Sequence, residues 1–290
     1  MGKKILFWVL ISVLILALVA ALTFGILCLY QYLYAEAPAP EAPQQTVATE
    51  PSTEPTVPTT LPPPPKTAVT AEDFVLVDGY MTCTAMPSRL GIDVSGFQGD
   101  IDWQAVADAG ITFAIIRIGG RGYGEAGGLY DDSKAQKNYE GAKAAGLDVG
   151  AYFFSQAIST EEAVEEAEYV LEKTQGWELT MPVVYDWEYI GETARTANVE
   201  PQTLTDCMNA FAARIRQAGH ESMIYFNGDL HRDLFYIEEV QDCAFWFAKY
   251  TGGMDFPYKV DMWQYTNTGT VPGIAGNVDI NIQLLYDEVA

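Results

Sequence analysis

Pro182-Val183-Val184-Tyr185-Asp186-Trp187-Glu188 is the stretch on which the reading of the fold turns. Apolar residues lead into a carboxylate, an aromatic ring and a second carboxylate. Side chains alternate along an extended strand, so Val184, Asp186 and Glu188 share one face while Val183, Tyr185 and Trp187 share the other. A strand apolar on both faces is one covered on both sides, as in the parallel sheets of α/β domains. Its polar groups collect at its C-terminal end, where parallel barrels keep their chemistry.

Outward from this strand, similar apolar runs are expected to form strands at 90–95, 112–119, 148–155, 222–227, 244–250, 260–266 and 277–282, with 181–188 as the fourth of eight. Helical patterns fall between the early ones, at 102–109, 131–145, 160–174 and 201–218. Gly110, Gly146 and Gly219 stand just past three of these helices, where a chain must stop winding. Thr160, followed by Glu161 and Glu162, is a good helix start. The pattern predicts an α/β domain built as a parallel, TIM-like (β/α) barrel closed by the eighth strand. Segments 251–259 and 267–276 leave little room for a crossover helix, so the barrel should be irregular, with fewer than eight full helices. An open doubly wound sheet is the rival; it lacks a Gly-rich dinucleotide loop after the first strand.

The N-terminus reads differently. Residues 1–4 carry Lys3 and Lys4, and 5–30 is an uncharged apolar run. At about 1.5 Å per residue it would reach roughly 39 Å as a helix, enough to cross a bilayer core of about 30 Å. The expectation is a single transmembrane helix ahead of the barrel, with residues 1–4 cytoplasmic and the rest exported by the positive-inside rule. That makes the membrane a partner and places the chain, single-pass, in a bacterial cell membrane. Ala35-Glu36-Ala37 offers a small-x-small cleavage pattern that would instead release a secreted form. Residues 31–70 hold ten of the 15 prolines and almost no large apolar side chain, the composition of a disordered linker. A transition segment, 71–88, leads into the barrel domain at 89–290.

With 39 acidic against 16 basic residues the chain carries a net charge of −23, which argues against a nucleic-acid partner. Four cysteines without C-x-x-C spacing and two histidines offer no zinc cluster, so neither a metal nor another cofactor is expected. Cys83, Cys207 and Cys243 allow one disulfide at most.

The candidate chemistry lies at strand ends. Asp186 and Glu188 on one face should repel, so that one keeps its proton while the other is charged. Acid-assisted cleavage of a glycosidic bond needs that arrangement. Asp93 and Asp279 stand at two further ends, although a lone strand-end Asp is more often a cap. Tyr123, Tyr152, Phe154, Tyr225, Trp246, Trp263, Gln264 and Tyr265 are the candidate substrate-binding groups, since rings stack on sugars and amides bond their hydroxyls; singly, each aromatic could equally be core.

Gly91-Ile92-Asp93-Val94-Ser95, Phe113-Ala114-Ile115-Ile116-Arg117, Gly146-Leu147-Asp148-Val149-Gly150-Ala151-Tyr152, the 182–188 strand, Trp263-Gln264-Tyr265 and Gly276-Asn277-Val278-Asp279-Ile280-Asn281 together resemble the glycoside hydrolase family 25 lysozymes, the Chalaropsis-type N,O-diacetylmuramidases. The resemblance covers about residues 89–286. It implies a flattened, irregular barrel that cleaves the β-1,4 bond between N-acetylmuramic acid and N-acetylglucosamine in peptidoglycan glycan strands, with retention at the anomeric carbon. Glu188 matches the family's general acid, Asp186 its partner, and Asp93 and Asp279 the other acids of the groove. A non-catalytic glycan-binding module is the alternative.

Overall fold

The computed structural model describes residues 64–228 and 234–286. A hairpin comes first, β1 (Phe74–Val77) and β2 (Tyr80–Cys83), followed by β3 (Ser88–Val94), α1 (Trp103–Asp108), β4 (Phe113–Arg121) and β5 (Leu129–Asp131). Next come α2 (Ala135–Ala144), β6 (Asp148–Ser155), α3 (Thr160–Lys173), β7 (Val183–Trp187) and α4 (Pro201–Gln217). The chain ends through β8 (Ser222–Asn227), β9 (Ala244–Ala248), β10 (Met262–Gly269) and β11 (Val278–Leu284).

Eight of these strands close on themselves in the order β3-β11-β10-β9-β8-β7-β6-β4, with β4 pairing back to β3. From β3 through β4, β6, β7, β8 and β9 to β10 every neighbouring pair is parallel. The eighth strand departs from the expected parallel closure: β11 runs antiparallel to both β10 and β3. The cause is the short link after β10, which can turn the chain back but cannot carry it across the barrel. The four helices bounded here, α1 to α4, follow the first four barrel strands. Asp102 caps α1 by accepting from the Ala105 amide at 3.2 Å, and Ser159, one residue before the expected start, caps α3. The expected helix at 131–145 begins later, because residues 129–131 form β5 along the extended end of β4.

The barrel floor is packed by Phe113, Ile115, Met181, Val184, Met223 and Met262, a core separate from the larger one beneath the helices. Phe113 can occupy the centre because residue 91 is glycine; a Cβ there would lie 2.2 Å from its ring. Along each inward face the residues change from apolar to polar toward one end: Ile115 to Arg117, Val184 to Asp186, Met262 to Gln264. Burial on both sides fixes the register, and the polar ends then meet at one mouth. Cys83, Cys207 and Cys243 are free thiols.

The membrane expectation is corrected. Among the described residues no helix is long and apolar enough to cross a membrane. The run at 5–30 and most of the 31–70 linker lie outside the described residues. The described residues therefore form an irregular TIM-like barrel, with no membrane-spanning helix among them. The membrane partner and the single-pass membrane localisation are dropped with it, for no described element supplies the span they require.

Candidate active site

At the C-terminal ends of the parallel strands the barrel opens into a cavity of about 230 Å³ lined by Asp93, Tyr152, Asp186, Glu188, Tyr225, Trp246, Tyr250, Gln264, Asn267 and Asp279. β3 and β11 bring Asp93 and Asp279 together as directly opposed antiparallel partners. β7 supplies Asp186, and the residue just beyond its end is Glu188. A larger hollow of about 860 Å³ near Glu221, Lys259 and Asp261 lies at the opposite ends of the strands, away from these acids.

Asp93 is held firmly. Its Oδ2 accepts from Gln264 Nε2 at 2.9 Å and from Asn281 Nδ2 at 2.8 Å. Those two amides are themselves fixed: Tyr250 Oη donates to Gln264 Oε1 at 2.7 Å, and Trp246 Nε1 donates to Asn281 Oδ1 at 2.9 Å. Asp186 is different, since its Oδ1 is buried with no hydrogen-bond partner among the described residues. An unpaired buried carboxylate oxygen is costly and points to a functional demand.

Burial raises all four carboxyl groups above their ordinary range, and neighbouring charge adds to the effect for three of them. For Asp93 the next cause is the charge of Asp279, opposed by the Asn281 and Gln264 bonds. Asp186 is raised by burial and then by Glu188 and Asp93, with Arg117 opposing. Glu188 is raised by burial and by Asp279. Burial pushes Asp279 up to about 6, against the pull of its bond to Asp93. Burial and mutual repulsion in one cavity favour the protonated form of part of this set over full ionisation, the arrangement from which a proton donor beside carboxylate charge can be built. Among the described residues no group of three or more His, Cys, Asp or Glu is arranged to hold a metal ion.

The family model for glycosyl hydrolases family 25 matches residues 92–274, a span that runs from within β3 through β10 and takes in all but one of the four acids. The chain belongs to glycosyl hydrolases family 25. It is similar to Lysozyme M1 of Streptomyces globisporus, 30% identical over 208 residues, which is 66% of each protein. The autolytic lysozyme of Clostridium acetobutylicum is 27% identical over 195 residues, 66% of this chain and 54% of that protein. The crystal structure of a bacterial lysozyme from Streptomyces coelicolor matches with a TM-score of 0.56 and 28% identity, over 67% of this chain and 90% of that one. The chain thus spans between half and two thirds of the length of these two curated relatives.

Not every group expected from this family 25 sequence reaches the cavity. Tyr152, Tyr225, Trp246 and Gln264 do, with all four acids. Trp263 and Tyr265 flank Gln264 on β10 and so face the other way, into the core under the hairpin. Trp263 meets Phe74 edge-on at 4.9 Å, and Tyr265 Oη accepts from the Met81 amide at 3.3 Å. Tyr123 is exposed beyond β4, and Phe154, half-buried, is not part of the lining. Three groups were missed. Tyr250 ends a run already expected to be a strand, and Asn281 lies two residues after Asp279 on the same face. Asn267 had no signal in the sequence.

Proposed function

We propose that this domain is an N-acetylmuramidase hydrolysing the β-1,4 bond between N-acetylmuramic acid and N-acetylglucosamine in peptidoglycan. The observation that carries the reading is the convergence of Asp93, Asp186, Glu188 and Asp279 in one cavity, in a chain of a glycoside hydrolase family. Its relatives are named as lysozymes, which supports this substrate class.

Glu188 is the general acid: raised by burial and by Asp279, it holds a proton for the departing sugar oxygen as the C1–O bond breaks. Asp186 meets the positive charge that grows at the anomeric carbon, its free oxygen aimed at no other partner. In a retaining course the substrate's own 2-acetamido oxygen, oriented by Asp186, bonds to C1 as the C1–O bond breaks, and the ionised Glu188 then takes a proton from the water that attacks C1 and reopens that ring. Asp93 and Asp279 shape the charge around these two. Tyr152, Tyr225 and Trp246 supply ring surface and Gln264 an amide for sugar binding.

The test is Glu188→Gln on purified peptidoglycan, with fragments identified by mass spectrometry. General acid catalysis is worth about 10²–10⁴ in rate, so kcat should fall at least about a hundredfold with little change in Tm. Wild-type fragments should end in reducing N-acetylmuramic acid. Glycan binding without new reducing ends would favour a binding module, and a folded Glu188→Gln variant retaining over about a tenth of kcat would overturn the acid assignment.

A further inference from the structure

Glu188 sits one residue past the end of β7, where the ladder that holds the strand has run out. β6 and β7 pair in parallel as far as Ser155 opposite Trp187. The next rung would set Gln156 against Glu188, and there a side chain takes over from the backbone. Gln156 is fully buried, and its Nε2 donates to Glu188 O at 3.0 Å and to Ser155 O at 2.8 Å. Its Oε1 accepts from Thr196 Oγ1 at 2.9 Å, a hydroxyl that is itself buried. The amide cannot be turned round, because both groups facing Nε2 are carbonyls and can only accept.

The chain after Glu188 is tied back through the same residue. Residues 188–200 form no strand or α-helix. Arg195 Nη1 donates to Gln156 O at 3.1 Å, and the guanidinium grips Glu162 on α3 through Nη1 at 2.9 Å and Nη2 at 2.7 Å. The Arg195 amide donates to Tyr123 O at 3.0 Å. Glycine at residue 127 leaves room for the guanidinium in this position; a Cβ there would lie 2.4 Å from Nη1 and push it aside. Glu188 at the start of the irregular segment and Arg195 within it are therefore anchored to the end of β6 and the first turn of α3.

We infer that Gln156 is a positioning residue for the proton donor: its side-chain amide adds one rung to the barrel beneath Glu188 and fixes where that carboxyl enters the cavity. Thr196 and the Arg195–Glu162 pair hold Gln156 in that role. The inference rests on the proposed muramidase reading, in which Glu188 protonates the leaving oxygen. A donor on a loose backbone would spend less time in line with that oxygen, and a misplacement of about 1 Å can cost about a hundredfold in rate. It would also be better solvated, losing part of the burial that keeps it protonated.

The test compares wild type, Gln156→Met and Thr196→Val on peptidoglycan and on a nitrophenyl glycoside of a soluble muropeptide sugar chain. A nitrophenolate leaves without being protonated, so kcat/KM on that substrate, which reports bond cleavage and not the later attack of water, is insensitive to the acid. Gln156→Met should lower kcat on peptidoglycan about 10- to 30-fold with KM within about twofold, and shift the alkaline limb of the pH–rate profile to lower pH. On the nitrophenyl substrate it should lose less than about threefold in kcat/KM. Thr196→Val, a milder change that keeps the fold if Gln156→Met does not, should show the same split at about two- to fivefold. Equal losses on both substrates, in step with Tm, would make Gln156 merely structural and overturn the inference. So would a folded Gln156→Met variant with over half the wild-type kcat on peptidoglycan while Glu188→Gln is inactive. If Glu188→Gln is itself active, the muramidase acid assignment fails first, and that control keeps the two failures apart.

Discussion

Asp93 on β3 and Asp279 on β11 face each other as in-register partners in the antiparallel seam that closes the barrel. Two carboxylates directly opposed in a ladder repel unless one of them carries a proton. Burial lifts Asp279 from an ordinary 3.8 to about 6. The folded protein then binds that proton more tightly than the unfolded chain does. This contribution to stability is fully present below about pH 4 and is lost as pH rises through about 6. Burial raises Asp93, Asp186 and Glu188 in the same direction. Between these limits Tm should fall as pH rises, and Asp279→Asn should flatten that slope. Calorimetry at several pH values checks it; parallel slopes for wild type and variant would exclude Asp279 as a source.

Asp186→Asn should reduce kcat on peptidoglycan at least about tenfold, because the amide keeps the shape and loses the charge. The same change should raise Tm near pH 7.5, since it removes a buried carboxylate whose Oδ1 has no partner. The gain should shrink toward pH 4.5, because falling pH favours protonation of a carboxyl that burial already raises. A variant with lower Tm at both pH values would mean that the carboxylate supports the fold.

Asn281 bridges Trp246 and Asp93, donating to one and accepting from the other. Asn281→Ala leaves the buried Trp246 Nε1 without an acceptor, at a cost of about 1–3 kcal/mol in urea denaturation. It should also lower kcat, because Asp93 then relies on Gln264 alone. Loss of stability with unchanged kcat would show that Asp93 needs only one of its two amides.

Tyr265→Phe should separate core from site. It deletes the bond from the Met81 amide and should cost about 0.5–1.5 kcal/mol, with KM and kcat unaffected. Trp246→Phe, on the inward face of β9, should raise KM for peptidoglycan as well as destabilise. A KM change for Tyr265→Phe comparable to that for Trp246→Phe would contradict the facing seen for these strands.

Much of the barrel was legible because its strands are marked twice, by apolar runs and by the breakers that bound them. The 182–188 strand shows this best: alternation alone placed Asp186 and Glu188 on one face, and the structure puts both in the cavity. Alternation was also the missed signal at 263–265. Three polar or aromatic residues in a row cannot all face inward, and once Gln264 does, Trp263 and Tyr265 must face out. The direction of β11 was less accessible, because a strand's residues look alike whichever way it runs.

The sequence by itself determined the eight barrel strands, the family and the four acids, because periodicity and residue type are local properties that survive in any context. Only the tertiary structure decided which strand ends meet, that Asp93 and Asp279 oppose each other, and that Tyr250, Asn267 and Asn281 join them. It alone placed Gln156 under Glu188, 32 residues later in the chain. The physical reason is closure: residues far apart in sequence become neighbours only when β11 fills the gap between β10 and β3, and burial then gives their charges and hydrogen bonds their strength.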